Sequence, residues 1–131
     1  MADDVLVNKA GSIERCVARA REEYGANSQT FLQDLTRQDA AILNIQRACE
    51  AALDMGQHII RRDRLGVPQG ARHVFTLLSE AGWIEDSQAD ALKRMVGFRN
   101  IAVHQYQDLQ IPIVIRIIES HLGDFLGFST T

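Results

Sequence analysis

Three side chains near the C-terminal end offer chemistry that the rest of the chain lacks. They are Arg99, His104 and Tyr106, within the run Arg99-Asn100-Ile101-Ala102-Val103-His104-Gln105-Tyr106. Arginine presents a planar fork of N–H donors to phosphate and stays charged at any working pH. Histidine gives or takes a proton near neutrality. RNA carries its own nucleophile, the 2′-hydroxyl, so an arginine that steadies the phosphorus oxygens and a histidine that moves a proton could together cut it without a metal. No other site pattern competes. The histidines (58, 73, 104 and 121) are scattered, and there is no H-E-x-x-H, Cys/His cluster, phosphate-binding glycine loop or Ser/His/Asp signature. We therefore expect no metal and no cofactor.

The elements that must position these groups are helical. Ile13, Cys16, Val17, Ala20 and Tyr24 keep the i, i+3, i+4, i+7 spacing of an amphipathic helix, stopped by Gly25-Ala26-Asn27-Ser28. A longer stripe runs through Leu35, Ile42, Ile45, Cys49, Ala52, Leu53, Gly56, Ile59 and Ile60. As one helix from about Gln33 to Arg62 it spans ~45 Å. Residues 63–70, with two glycines and a proline, read as a loop. Val74, Leu77, Leu78 and Ala81 mark a short helix ended by Gly82. Ser87 with Asp90 resembles a capping box that opens the next helix, whose inward positions include Leu92, Met95, Val96 and Val103. The β-branched run from Ile111 would suit a strand. Ile111, Val114, Ile115, Ile118, Leu122 and Phe125 nevertheless keep helical spacing, and Pro112 fits a first turn, so we read one last helix. The expected fold is all-α: an up-and-down bundle of about five helices in one domain over residues 1–131.

On the helix that begins near Ser87, residues 92, 95, 96, 99, 102 and 103 share a stripe, so Arg99 points toward the apolar side. An inward charge needs a partner. It either snorkels to the bundle edge, pairs with an acid such as Asp39, or binds an anion. His104 lies five residues further on, ~140° around an ideal helix. Either the helix ends or bends near Ala102 to Gln105, or the two groups meet across a partner molecule. His104 at a helix end also suits the C-terminal dipole, and Tyr106 alone reads as a half-buried packing residue. Asp39, on the long helix's apolar stripe, is placed to partner Arg99 or orient His104; an ordinary charge in a first helical turn is the alternative.

Bulk properties narrow the class. The 131 residues are 46% hydrophobic and carry a net charge of -3, which argues against a protein that coats nucleic acid without excluding a small basic cleft. Arg61, Arg62, Arg64 and Arg72 form a local basic stretch that could guide RNA. The plainer reading is a solvated helix end and loop. Cys16 and Cys49 form no C-x-x-C pair and read as reduced core thiols. The start, Met1-Ala2-Asp3-Asp4, lacks a secretory pattern, and no apolar run approaches a membrane span; a cytoplasmic protein is expected.

The motif with its flanks, Met95-Val96-Gly97-Phe98 before the arginine and Asn100 after it, resembles the signature of HepT toxins of the HEPN superfamily. Residues 75–84 and the aliphatic helix after Tyr106 also resemble that family, and the likeness covers roughly residues 10 to 128. The resemblance implies a metal-independent endoribonuclease that works as a homodimer. It also implies the toxin half of a type VII toxin–antitoxin pair. There the antitoxin, an MntA-like nucleotidyltransferase, transfers AMP to the toxin's tyrosine. Carried onto this chain, Arg99 and His104 would be catalytic, Asn100 supporting, and Tyr106 the modified residue. The alternative is a non-catalytic HEPN-like module that binds a nucleotidyltransferase and cuts nothing.

Overall fold

The computed structural model describes residues 3–25 and 28–129, with the backbone alone for Ser28. These residues form seven α-helices, one 3₁₀ turn and no strand. The all-α architecture is the expected one, with two more helices than about five.

α1 (Asp4–Tyr24) begins well before the stripe that announced it. Asp3 caps it, its Oδ1 accepting from the Val5 and Leu6 amides at 3.0 and 3.4 Å. The satisfied amides explain the start. The helix stops at Gly25, whose φ of 67° is open to glycine at little cost. The rest of the expected stop, Ala26 and Asn27, lies outside the described residues. A single turn, α2 (Ser28–Leu32), follows and buries Phe31.

α3 (Leu35–Asp63) is the long spine, capped by Asp34, whose Oδ1 accepts from the Arg37 amide at 3.1 Å. Ile42, Ile45, Cys49, Ala52, Leu53, Gly56, Ile59 and Ile60 are buried as their spacing requires. Leu35 is not: the first residue of the helix, it is 73% exposed. α1 lies along α3 in the most extensive contact of the fold. α4 (Ala71–Glu80) crosses α3 at Gly56, where an added Cβ would sit 2.7 Å from Val74 Cγ1. Gly82, at φ 84°, closes α4, and Trp83 N–H returns to the Leu78 carbonyl at 2.9 Å.

α5 (Asp86–His104) starts one residue before the supposed capping box. Glu85 is its N-cap, and no side chain, Ser87 included, makes a cap bond. Asp86 instead accepts from the Ser79 hydroxyl, which fastens the helix start to α4. Leu92, Met95, Val96 and Ala102 are buried. Val103, expected inward, is 46% exposed because the helix ends one residue later and leaves no neighbour beyond it. A 3₁₀ turn (Tyr106–Asp108) leads to α6 (Ile111–Ser120), with Pro112 in its first turn, and α7 (Leu122–Ser129). The single last helix of the sequence reading is thus two. His121 leaves helical geometry at φ -122°, ψ -7°, between Ser120 and Gly123, residues that hold a helix weakly. The apolar stripe survives the break, because Val114, Ile118, Leu122 and Phe125 all remain buried.

α7 completes the core against α1, α3 and α5, and Phe128 meets Phe75 edge to face at 5.8 Å. Each such fully buried aromatic or aliphatic side chain contributes about 1.5–3 kcal/mol. Both cysteines are free. Cys49 is buried, and burial pushes its thiol up to about 12, so it is an inert packing group. No helix among the described residues is long and apolar enough to cross a membrane.

Candidate functional site

The site forms along the seam between α3 and the C-terminal half of α5. Arg99 leaves α5 toward α3 with its side chain 21% exposed. Its Nε lies 2.7 Å from Glu50 Oε1, yet the N–H does not point along that line, so the contact is ionic and this buried N–H has no hydrogen-bond acceptor. Nη1 donates to Asn100 Oδ1 at 2.6 Å. One edge of the guanidinium is therefore held by an acid and an amide. The group opens into a depression of about 400 Å³ whose wall includes Glu50, Asp54, Gly70 and Ala71. Gly70 is the N-cap of α4 and has no side chain to cap it. The positive end of the α4 dipole thus joins Arg99 on this wall, opposed by the two carboxylates.

Asp39 is not the partner of Arg99, nor does it bond His104. It accepts a hydrogen bond at Oδ1 from the Tyr106 hydroxyl. Glu50, the acid that does hold Arg99, lies eleven residues further along α3, three turns on and on the same face. The order is reversed between the helices: the earlier motif residue meets the later acid, as antiparallel neighbours require. Two acids ~16 Å apart on a continuous helix reach two motif residues only seven positions apart because the chain extends past His104. Glu50 is the residue that sequence reasoning missed. Its signal was the eleven-residue spacing from Asp39 on one helical face.

α5 ends at His104, the first of the two alternatives that the angle between Arg99 and His104 left open. Gln105 takes φ -140° and ψ 47° and returns its N–H to the Ile101 carbonyl at 2.8 Å. His104 is exposed, and no hydrogen bond or ion pair links it to Arg99 or to any other described residue. Within one chain, then, the guanidinium is turned to α3 and the imidazole to solvent. Tyr106 is 44% exposed. Burial of the ring end, followed by the hydrogen bond to Asp39 and its charge, pushes the phenol up to about 12.

The basic stretch divides. Arg62 is committed within the chain, to Asp3 at 3.2 Å, to Asp63 at 2.9 Å and over the Trp83 ring at 5.5 Å. Arg64 is the left-handed C-cap residue of α3 at φ 55°. Arg61 is exposed beside the loop at Gly66 to Pro68. Arg72 alone reaches the motif helix. Its Nη2 lies 3.1 Å from where a Cβ on Gly97 would stand, one turn before Asn100. Among the described residues no group of three or more His, Cys, Asp or Glu side chains is placed to hold a metal ion.

With this geometry in view, three relatives are informative. The chain is 48% identical over 126 residues to the mRNA nuclease HepT of Shewanella oneidensis, covering 96% of this chain and 94% of that protein. It superposes on a tri-AMPylated Shewanella oneidensis HEPN toxin solved in complex with an MNT antitoxin, with a TM-score of 0.93 at 47% identity over 98% of this chain and 96% of that one. A toxin–antitoxin crystal structure with AMP-PNP matches equally well, with a TM-score of 0.93, 47% identity and the same coverage. The family model described as HepT-like, ribonuclease HepT-like, matches residues 13–131. Motif, fold and relatives agree, and the chain belongs to the HepT-like ribonuclease family.

Proposed function

We propose that this chain is the toxin of a HEPN/MNT toxin–antitoxin pair, a metal-independent endoribonuclease acting on cytoplasmic RNA and neutralised by AMPylation of Tyr106. The observation that carries the reading is the half-buried guanidinium of Arg99. Glu50 and Asn100 hold it on one edge, and it opens into a depression beside the uncapped start of α4. A charge held that way binds an anion, and a phosphodiester supplies one. Arg99 stabilises the charge that develops on the phosphorus oxygens. His104, whose side chain has no partner among the described residues, moves the protons. Asn100 positions Arg99, and Arg72 is the basic-stretch residue best placed to extend the RNA track.

One imidazole cannot act as base and acid within the same step. A twofold homodimer supplies two, because an isologous interface brings two copies of each group to one cleft. That assembly also answers the different directions of Arg99 and His104 within one chain. An AMP group on Tyr106, at the other end of the same seam, adds bulk and negative charge along the path of the RNA, so repulsion and occlusion both oppose binding. The mRNA nuclease activity of the Shewanella protein and the AMPylated state of its solved toxin support both halves of the reading.

The test is cleavage of a defined RNA by the purified protein in excess chelator. The expected products end in a 2′,3′-cyclic phosphate and a 5′-hydroxyl. His104→Ala lowers the rate by about 100- to 10,000-fold. Magnesium-dependent cleavage leaving 5′-phosphates overturns the chemistry. No cleavage at all, with the nucleotidyltransferase still bound, favours the non-catalytic module.

A further inference from the structure

We infer that Asp39 is the general base that takes the phenolic proton of Tyr106 as the tyrosine is AMPylated. The inference rests on the reading of Tyr106 as the modified residue and adds the group that makes it a nucleophile. The Tyr106 hydroxyl directs its proton at Asp39 Oδ1. That leaves the oxygen's lone pairs for an incoming phosphorus. Both side chains are exposed, so a nucleotidyltransferase holding ATP can approach the oxygen from solvent. Burial, and after it the Asp39 carboxylate, raises this phenol.

The ground state explains why a base is needed. A phenol held near 12 is ionised in only about one molecule in 100,000 at pH 7, so attack cannot draw on preformed phenolate. The proton must leave as the new bond forms. Tyr106 Oη attacks the α-phosphorus of ATP and the O–P bond forms. The bond from that phosphorus to the bridging oxygen breaks, and pyrophosphate departs with the electron pair. The proton passes to the Asp39 carboxylate and from there to water. The nucleotidyltransferase supplies ATP and whatever activates its leaving group; the base comes from the target itself.

The experiment compares wild type, Asp39→Asn and Asp39→Glu as substrates of the cognate nucleotidyltransferase with ATP. It follows adenylyl gain on the Tyr106 peptide by mass spectrometry between about pH 6.5 and 8.5, a window set by the ordinary ranges of carboxylates and phenols. Asparagine can still accept the hydrogen bond but cannot take the proton. The expected rate at pH 7 is about 100-fold or more below wild type. The ratio of wild-type to Asp39→Asn rates should fall about tenfold per pH unit, as hydroxide replaces the lost base. Taking the ratio cancels the titration of the nucleotidyltransferase itself. Asp39→Glu restores most of the rate and a ratio that does not change with pH. Asp39→Asn within about threefold of wild type overturns the inference. So does a slow Asp39→Asn whose ratio is flat with pH, because that marks a purely structural role. Failure of Asp39→Glu to recover rate, in a protein with wild-type helical circular dichroism, does the same. Wild type that gains no adenylyl group at Tyr106 removes the reading of the modified tyrosine itself. Modification that is indifferent to Asp39 leaves that reading standing and removes only this one.

Discussion

The two ends of the α3–α5 seam are built alike and behave differently. At one end Glu50 meets Arg99; at the other Asp39 meets Tyr106. Both are acids on one face of α3 reaching a motif side chain across the seam. Arg99 is four-fifths buried and clamped by Asn100 as well, whereas Tyr106 is 44% exposed on a 3₁₀ turn, its hydroxyl bonded among the described residues to Asp39 alone. A buried charge needs fixed partners, so the first contact is a permanent mount. An exposed phenol held by a single bond can exchange that bond for another reaction. The charge proposed for catalysis is locked, and the residue proposed for regulation is accessible.

The largest effect that breaks this comparison comes from Arg99 itself. Arg99→Ala is expected to reduce RNA cleavage by about 100- to 1,000-fold, the loss typical when a group that stabilises developing charge is removed. Arg99→Lys should recover little of that, because an ammonium cannot present the same fork. Mixing Arg99→Ala with His104→Ala protein should regain part of the wild-type rate if the cleft is shared between protomers, and none if each chain works alone; single-turnover cleavage of the mixture reads this directly. Next comes the scaffold. Gly56→Val drives a branched side chain into Val74 and Leu78, where even a Cβ would sit 2.7 Å from Val74, and should lower stability by about 1–3 kcal/mol in urea unfolding.

A smaller effect sharpens the mount. Glu50→Gln keeps the shape and removes the charge, so cleavage should fall by about tenfold through loosened positioning of Arg99. The smallest effect is at Tyr106. Burial, and after it the hydrogen bond to Asp39, raises its phenol above the ordinary 10, so the stability tied to the protonated form is fully present below the unfolded value and is lost as pH rises through about 12. In a Tyr24→Phe background, ultraviolet titration should show Tyr106 ionising near that upper value. Asp39→Asn should bring it closer to 10.

Much of the scaffold was legible, because a packed helix must repeat its apolar residues with the helical period. The stripe from Ile42 to Ile60 announced α3, and Pro112 with the spacing of Val114, Ile118, Leu122 and Phe125 announced helical structure at the C-terminal end despite a β-branched run. The breaks were not legible. Spacing is unchanged across His121, so nothing in the apolar pattern showed that α6 and α7 are separate. Ser87 and Asp90 had the right types for a cap, but α4 had already supplied Asp86 with a partner in Ser79. At the site, the types of Arg99, His104 and Tyr106 were readable, as was the choice between a helix that ends or bends near Ala102 to Gln105 and two groups that meet across a partner molecule. Their partners were not. Asp39 and Glu50 are both acids on the same face of α3, and local sequence does not say which faces Arg99.

The sequence by itself determined that the chain is helical, which faces its helices bury, and that an arginine, a histidine and a tyrosine stand together near the end of one of them. These follow from periodicity and side-chain chemistry, which are local. Only the tertiary structure decided that Glu50 mounts Arg99, that Asp39 takes the Tyr106 hydroxyl, and that His104 stands apart in solvent. Those pairings depend on how far α5 slides along α3 and where it stops, and that register is set by packing across the whole core.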